Sequence, residues 1–342
     1  MSDLSIPPKP HIDNVAAIAD FAELECLRRD DANVSVTDIA RIIQREPDEI
    51  TEDSAFERVV EAFGELENRI RHCGDDLGCY PFQLLDSGEV LQFKRPSKST
   101  AKPSLTYLYL LLATRMNMTK DRSQGGEDAT KLFEELCSEV ALRFLGGPGP
   151  GIHAIVFGTG RLPEHHDLND EAELDKGVFQ LAVDQLCSVL KEGFQFQAYS
   201  ASTRVKAKDG KLDVVAWRSF ADQRPGQLIG FGQCKTGRSW HRNLRDIQPE
   251  EFCKKWMLKS PAVIPVRMFF VADRIAPDRS RGDRADDEHG IWYEHCAAAG
   301  ILFDRCRIME FAHRHNDLPK SLVGRISKWV KAATKAEGLR IT

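Results

Sequence analysis

This sequence of 342 residues lacks the segments that place a protein in or across a membrane. No apolar run approaches the roughly 20 residues that a spanning helix needs. The first eight residues lack the basic start and the apolar core of a signal peptide. Internal repeats and low-complexity segments are absent, and 42% hydrophobic with 29% charged residues is an ordinary globular composition. We therefore expect a soluble, cytoplasmic protein.

Cysteine pairs with metal-binding spacing are also missing. The nine cysteines are scattered, odd in number, and none belongs to a Cys-x-x-Cys pair. Cys73 and Cys79 are the closest pair, but no further Cys or His pair nearby completes a zinc pattern. This usage predicts reduced thiols in a cytosolic protein rather than a disulfide framework or a zinc site.

The chain has a glycine-proline run at residues 146–151, but it has no phosphate-binding fingerprint. The run reads Gly-Gly-Pro-Gly-Pro-Gly and lacks the Lys-Ser/Thr of a P-loop. It also lacks the spacing of a dinucleotide-binding turn. We interpret it as a plain loop that ends a helix.

Charge is distributed unevenly along the chain. Residues 1–90 hold 21 Asp/Glu and 8 Lys/Arg, a balance of −13, so the net charge of −5 leaves +8 for residues 91–342. Residues 201–245 alone hold ten Lys/Arg against three Asp. A basic segment attracts a polyanion, although such a cluster is also typical of solvated surface.

The first third of the sequence is predicted to be mostly helical. Helix-period apolar spacing and capping residues indicate helices within residues 11–72, and residues 82–93 fit a short hairpin. A polar, proline-punctuated linker is expected at 95–104, followed by a core helix at 105–116. The string Thr37 to Ala40 also fits a helix-turn-helix, but an acidic module suits DNA phosphates poorly. We assign residues 1–118 to an acidic, mostly helical region with a partner-docking or regulatory role.

Residues 119–342 alternate helices and strands, which predicts an α/β domain. Helix-period spacing indicates an amphipathic helix at 128–145. The pattern further predicts strands at 152–157, 194–199, 263–272 and 301–311, and helices at 171–190, 249–258, 288–299 and 321–335.

The most informative feature is a predicted β-hairpin that spans residues 209–237. Two apolar runs flank the turn-like segment 222–226. Side chains alternate faces along a strand, so Gln233 and Lys235 point the same way, and Asp213 on the partner strand can reach the same side. A carboxylate, an amide and an ammonium group then converge where a divalent metal could lie beside a phosphate.

These residues resemble the core motif of the PD-(D/E)xK nuclease superfamily, which has the restriction endonuclease-like fold. The Gln233-Cys234-Lys235 form is similar to the Mrr-like branch. The resemblance covers roughly residues 128–275 and is sharpest at 209–237. It implies a mixed β-sheet flanked by helices, in which a helix, antiparallel strands, a helix and another strand follow in order.

The resemblance also implies a set of site residues around Mg²⁺ or Mn²⁺, which prefer oxygen ligands. Asp213 and an acid on the first core helix would bind the metal, and the main-chain carbonyl of Cys234 would join them. Glu134, which follows Phe133, is the favoured helix acid, with Glu135 as the alternative. Lys235 would orient the attacking water and stabilise the phosphate.

Gln233 replaces the acid that is usual in the family, which removes one negative charge from the metal site. We expect weaker metal affinity rather than loss of activity. Cys234, beside a lysine, could alternatively act as a nucleophile, but no His or Asn partner is evident from the sequence.

A basic run with an aromatic residue follows the motif directly. Such residues suit contacts with the nucleic-acid backbone and stacking on bases, although an ordinary loop with a packed Trp is the alternative. The candidate nucleic-acid contacts are Arg238, Trp240, Arg242 and Arg245.

Together these features predict a Mg²⁺-dependent DNA endonuclease, and the resemblance implies a role in prokaryotic restriction or anti-phage defence. A helicase or ATPase is the kind of partner expected. The alternative is a catalytically weak nucleic-acid-binding or assembly subunit. RNA is a further possible substrate, because the site would treat both backbones alike and no residue is identified as a 2′-hydroxyl reader.

Overall fold

The computed structural model describes residues 10–44, 52–73, 79–95, 97, 101–115, 120–158, 178–197, 211–276, 288–313 and 318–341. The helices within these ranges are α1 Val15–Arg28, α2 Val36–Gln44, α3 Glu52–His72, α4 Ala101–Arg115, α5 Ala129–Phe144, α6 Val178–Leu190, α7 Pro249–Trp256, α8 Glu288–Ala299, α9 Arg305–His313 and α10 Lys320–Ala336. The strands are β1 Asn33–Ser35, β2 Phe82–Leu85, β3 Val90–Phe93, β4 Ser123–Gln124, β5 Glu127–Asp128, β6 Ile152–Val156, β7 Val214–Arg218, β8 Leu228–Lys235, β9 Val266–Val271 and β10 Ile301–Phe303.

A five-stranded mixed sheet in the order β10-β9-β8-β7-β6 organises the larger part of the structure. β6, β7 and β8 pair antiparallel, whereas β8, β9 and β10 pair parallel. β8 therefore lies between an antiparallel and a parallel neighbour. The mixed α/β fold and the hairpin that was expected around residues 213–235 are confirmed.

Two glycines allow close packing over β8. A Cβ atom at Gly230 would lie 2.4 Å from the sulfur of Met268, and one at Gly232 would lie 3.0 Å from the Phe270 ring and 3.2 Å from Val214. A larger residue at either position would push the neighbouring side chains away. The glycines before Gln233 thus leave room for the Met268 and Phe270 side chains to pack over the strand that carries the motif.

Both faces of the sheet are covered, as the alternation of side chains requires. Val214 and Ala216 face a large core with α4, α5, α9 and α10. Val215 and Trp217 face a second core with α6 and α7. A third cluster lies around Phe269 and the segment after β8. Since β7 and β8 are buried on both faces, the residues at their ends are held rigidly.

The N-terminal helices share the first of these cores. It runs from Ile18 on α1 to Leu339 after α10, so residues on both sides of the boundary drawn at 118 belong to it. A small antiparallel sheet in the order β1-β3-β2 completes the N-terminal region and confirms the hairpin of residues 82–93, but β1 was not expected. No helix in the described ranges has the length and apolar character that crossing a bilayer requires.

One disulfide corrects the expectation of reduced thiols. Cys73, at the end of α3, is bonded to Cys306 in α9. The expectation is wrong for these two because residues 233 positions apart in sequence are brought together by packing. The seven other cysteines form no disulfide bond.

Three predicted elements differ from the structure. The strand expected at 301–311 ends at Phe303, because Asp304 accepts a hydrogen bond from the Arg307 N–H and starts α9. The strand expected at 194–199 is only a bridge between Phe196 and Met257, and residues 198–199 lie outside the described ranges, as do residues 171–177 of the predicted helix. The linker expected at 95–104 gives way to α4 at Ala101.

A buried ion cluster connects the N-terminal helices to the ends of β9 and β10. The Asp20 carboxylate accepts hydrogen bonds from Arg69, Arg115 and Arg305. Burial by itself opposes its ionisation, but Arg115, Arg305 and Arg69 hold the pKa of Asp20 far below its ordinary value. The cluster consists of Asp20, Glu23, Glu65, Arg69, Arg115, Arg274, Asp304 and Arg305.

Replacing Asp20 by Asn should lower the free energy of unfolding by about 3–5 kcal/mol, because buried arginines would lose the carboxylate that compensates them. Urea unfolding of the two proteins measures the change. Glu250→Gln is the control, since the Glu250–Lys254 pair is exposed and its loss should change stability by less than about 1 kcal/mol. A loss for Asp20→Asn as small as the control's would contradict a structural role for the cluster.

Candidate functional site

The Asp213 carboxylate lies where β7 and β8 stop pairing. The ladder ends at the pair Val214 and Gly232, and the Asp213 N–H donates to the Gly232 carbonyl at 2.9 Å. Two residues after Gly232, the Cys234 N–H donates to Asp213 Oδ2 at 2.7 Å. The side chain thus replaces a main-chain acceptor and occupies the gap between the two strands.

Gln233 and Lys235 lie on one face of β8, as alternation predicts. The β7–β8 ladder ends at the pair Val214 and Gly232, next to Asp213 and Gln233, and β8 continues alongside β9 up to the pair Lys235 and Val271. The Lys235 ammonium is close enough to favour the ionised form of Asp213. Asp213, Gln233 and Lys235 therefore lie at the same end of the sheet.

Gln233 is almost completely buried, with 1% of its surface exposed. Its Nε2 donates to Asp246 Oδ2 at 3.5 Å, and Asn243 Nδ2 donates to the same oxygen at 3.0 Å. Gln233 Oε1 has no hydrogen-bond partner in the described part of the chain. Sequence reasoning missed Asp246, and a carboxylate 13 residues after an amide gives no recognisable spacing.

The structure separates the two candidate helix acids. Burial, and then the charge of Asp213, raise the pKa of Glu134 to about 7. Glu135 instead accepts a hydrogen bond from Arg325 on α10 at 2.7 Å. One turn after Glu134, the thiol of Cys137 is hydrogen-bonded to that of Cys234, which ties α5 to β8. Glu134 is thus the helix acid that lies near the motif.

Too few positive groups lie near Asp213 and Glu134 to offset the cost of burying their negative charges. Burial raises the pKa of Asp213 to about 6, although the Cys234 N–H and the Lys235 ammonium both lower it. Two neighbouring acids with raised pKa values are an arrangement that a cation would stabilise.

Cys234 contributes main-chain groups rather than a reactive thiol. Burial and the neighbouring Cys137 raise the pKa of the Cys234 thiol well above its ordinary value, which disfavours the nucleophilic thiolate. Its N–H points to Asp213, and in a strand the carbonyl of the same residue points to the same side. The carbonyl is therefore suited to the ligand role that the resemblance implies.

The available donors fit a hard divalent ion. They comprise the Asp213 and Glu134 carboxylates, the Cys234 carbonyl and the partnerless Gln233 Oε1, all of which are oxygens. Within the described ranges, no three His, Cys, Asp or Glu side chains form a group that could hold a metal. A metal here would thus need the amide or carbonyl oxygens as well as the two acids.

Trp240 corrects one of the predicted nucleic-acid contacts. Its ring is only 4% exposed, packs against His295 and donates from Nε1 to Asp273 at 3.2 Å. It cannot stack on a base in this arrangement, because the apolar ring is used to pack the segment after β8 onto the sheet. Arg238, Arg242 and Arg245 are exposed and accessible to a phosphate backbone.

Comparison of the chain with protein-family models, with curated proteins and with solved structures found no match in any of the three.

Without metal, Glu134 and Asp213 should together lower the free energy of unfolding as the pH rises from about 4 to 7. Glu134 and Asp213 have raised pKa values, so the folded protein binds more protons than the unfolded chain in this window. Glu134→Gln should reduce the downward slope of the unfolding free energy against pH by up to about 1 kcal/mol per pH unit. Urea unfolding with chelator at several pH values measures it.

Glu135→Gln is the matched control for this pH effect, because Glu135 is next to Glu134 in sequence and has the same chemistry but is paired with Arg325. It should not reproduce the flattening that Glu134→Gln causes, even if the loss of the pair with Arg325 lowers stability. Equal slopes for all three proteins would show that Glu134 is not a buried acid of the site.

Proposed function

We propose that this protein is a metal-dependent nuclease of the PD-(D/E)xK type. The observation that carries the proposal is the meeting of Asp213, Lys235 and Glu134 at the point where β7 and β8 separate. Two acids beside an ammonium group and oxygen ligands are what hydrolysis of a phosphodiester requires.

The order and pairing of the elements support the same proposal. Helix α5 is followed by β6, by α6, by β7 and β8, and then by α7 and β9; β6, β7 and β8 pair antiparallel, and β9 pairs parallel with β8. Apart from the insertion of α6 between β6 and β7, this is the order that the restriction endonuclease-like core is expected to have. We therefore propose that residues 119–342 form such a domain, with the motif on its central strand.

The chain would divide the chemistry among its residues. When bound, Mg²⁺ or Mn²⁺ supplies neutralisation of phosphate charge and lowers the pKa of water. Asp213, Glu134 and the Cys234 carbonyl would hold that ion. Lys235 would donate hydrogen bonds to the phosphate oxygen on which negative charge grows. The burial of these groups strengthens each electrostatic contact, because little water screens them.

Exposed basic residues next to the site support a nucleic-acid substrate. Arg238, Arg242 and Arg245 follow β8 directly and would contact phosphates without reading bases. DNA is the proposed substrate, in keeping with the resemblance, and RNA is the outcome that a substrate comparison would reveal.

The biological setting follows from the resemblance alone. We propose a cytoplasmic effector of a prokaryotic anti-phage or restriction system, supplied with substrate by a helicase or ATPase. The acidic N-terminal region, residues 1–118, is the proposed docking region. Because α1, α3 and α4 share the large core with α5 and α10, this region would act as a fixed part of the enzyme.

A second candidate function is favoured by one observation. Gln233 places a neutral amide where the family usually has an acid, which lowers the negative charge available to a metal. A nucleic-acid-binding or assembly subunit with little chemistry would tolerate this change.

Incubation with plasmid and linear DNA distinguishes the two candidates. Cleavage should require Mg²⁺ or Mn²⁺, stop with chelator, and fall by about 100-fold or more in Lys235→Ala, since one stabilising donor is lost. Lys254→Ala, on the exposed face of α7, is the matched control and should cleave normally. DNA binding without metal-dependent cleavage would favour the binding subunit, and cleavage of RNA alone would change the substrate.

A further inference from the structure

The hydrogen bond between Gln233 and Asp246 determines the orientation of the Gln233 side-chain amide. An ionised carboxylate can only accept hydrogen bonds, so the amide nitrogen must point to Asp246, as it does at 3.5 Å. The carbonyl oxygen of the amide is then turned away from Asp246. A neutral hydrogen-bonding partner at position 246 would not impose this choice, because it could donate as well as accept.

The oxygen that is turned away has nothing to bind in the described part of the chain. Gln233 is 1% exposed, and Oε1 is one of the buried oxygens without a hydrogen-bond partner. Buried polar atoms are normally partnered, so an orphaned one calls for a specific explanation. Gln233 directly follows Gly232, the last residue of β8 that pairs with β7, and Asp213 directly precedes Val214, the partner of Gly232, so both residues lie at the end of the strand pair that carries the candidate site.

The charges of Gln233 and Asp246 also support a role of the amide oxygen as a cation ligand. The usual acid at this position brings one negative charge to the site, and Gln233 brings none. Asp246 restores one negative charge directly behind the amide, at a distance set by one hydrogen bond. The same bond polarises the amide and makes its oxygen a better ligand.

We propose that Asp246 is a positioning residue of the candidate site, which holds the Gln233 amide so that Oε1 is presented to a divalent cation. The inference rests on the proposed nuclease function. The Gln233 amide would supply the oxygen ligand and the Asp246 carboxylate the negative charge, which a single acid supplies together in the usual motif.

A local role for Asp246 is the competing explanation. Its N–H donates to the Asn243 carbonyl at 3.0 Å, and its Oδ2 accepts from Asn243 Nδ2, so it also closes the turn before α7. A residue that only closes a turn should not be energetically coupled to Gln233. The two explanations therefore differ in how substitutions at 233 and 246 combine.

The test is a double-mutant cycle with Gln233→Glu, Asp246→Asn and the two together. In metal-free protein, we expect each single variant to lower the urea midpoint, since Gln233→Glu opposes two carboxylates and Asp246→Asn frees the amide to flip. The double variant should recover most of the loss, because amide and carboxylate have exchanged places. Asp222→Asn, the same change at an exposed turn, is the control and should have no effect.

Mn²⁺ titration by calorimetry gives the second readout. Asp246→Asn should weaken Mn²⁺ binding about tenfold or more, whereas the double variant should bind at least as tightly as the natural protein, since position 233 then carries the acid itself. Asp222→Asn should not change the affinity.

The outcomes separate this inference from the proposed function. Additive losses in the metal-free cycle would overturn the inference whatever the activity of the protein. Unchanged Mn²⁺ binding in Asp246→Asn, with cleavage intact, would overturn it and leave the nuclease proposal standing. A third outcome is that the cycle shows coupling but the natural protein neither binds Mn²⁺ nor cleaves nucleic acid. That result would overturn both the cation role of Gln233 and the nuclease proposal.

Discussion

Three arginines meet on the buried carboxylate of Asp20, and the rest of the structure depends on this contact. It joins α1, α3 and α4 to the start of α9, where the parallel half of the sheet ends. Arg115 extends the connection to Asp273 at 3.6 Å, and Asp273 accepts from Trp240. Removing one partner from such a buried set leaves charges that nothing else compensates. The N-terminal region is therefore part of the architecture that holds the segment after β8 in place.

That segment in turn reaches the candidate site. Trp240 packs on the sheet, and the following turn brings Asp246 to the amide of Gln233. The acids of the site show the opposite balance from Asp20, because burial raises the pKa values of Asp213 and Glu134 and too few cations offset it. The buried charge of Asp20, which supports the fold, is thus compensated by arginines. The charges of Asp213 and Glu134, where we propose that a metal binds, are not.

Much of the site could be predicted because its signals are local. Alternation along β8 places Gln233 and Lys235 on one face, and the turn between two apolar runs predicts that Asp213 lies opposite. Predictions failed where long-range packing decided the outcome. Trp240, in a basic run, suits base stacking by composition, but the neighbouring core buries its ring. The strand predicted at 301–311 was wrong for a local reason, because the cap at Asp304 starts a helix directly after Phe303.

The sequence by itself determined the mixed order of helices and strands, the hairpin with its motif, and the presence of an acid on α5, because each depends on residues close together in the chain. Only the tertiary structure decided that Glu134 rather than Glu135 faces Asp213, since Arg325 on a distant helix binds the other acid. It alone joined Cys73 to Cys306 and placed Asp246 behind Gln233. Such contacts depend on how distant elements pack, and spacing along the chain carries no record of that packing.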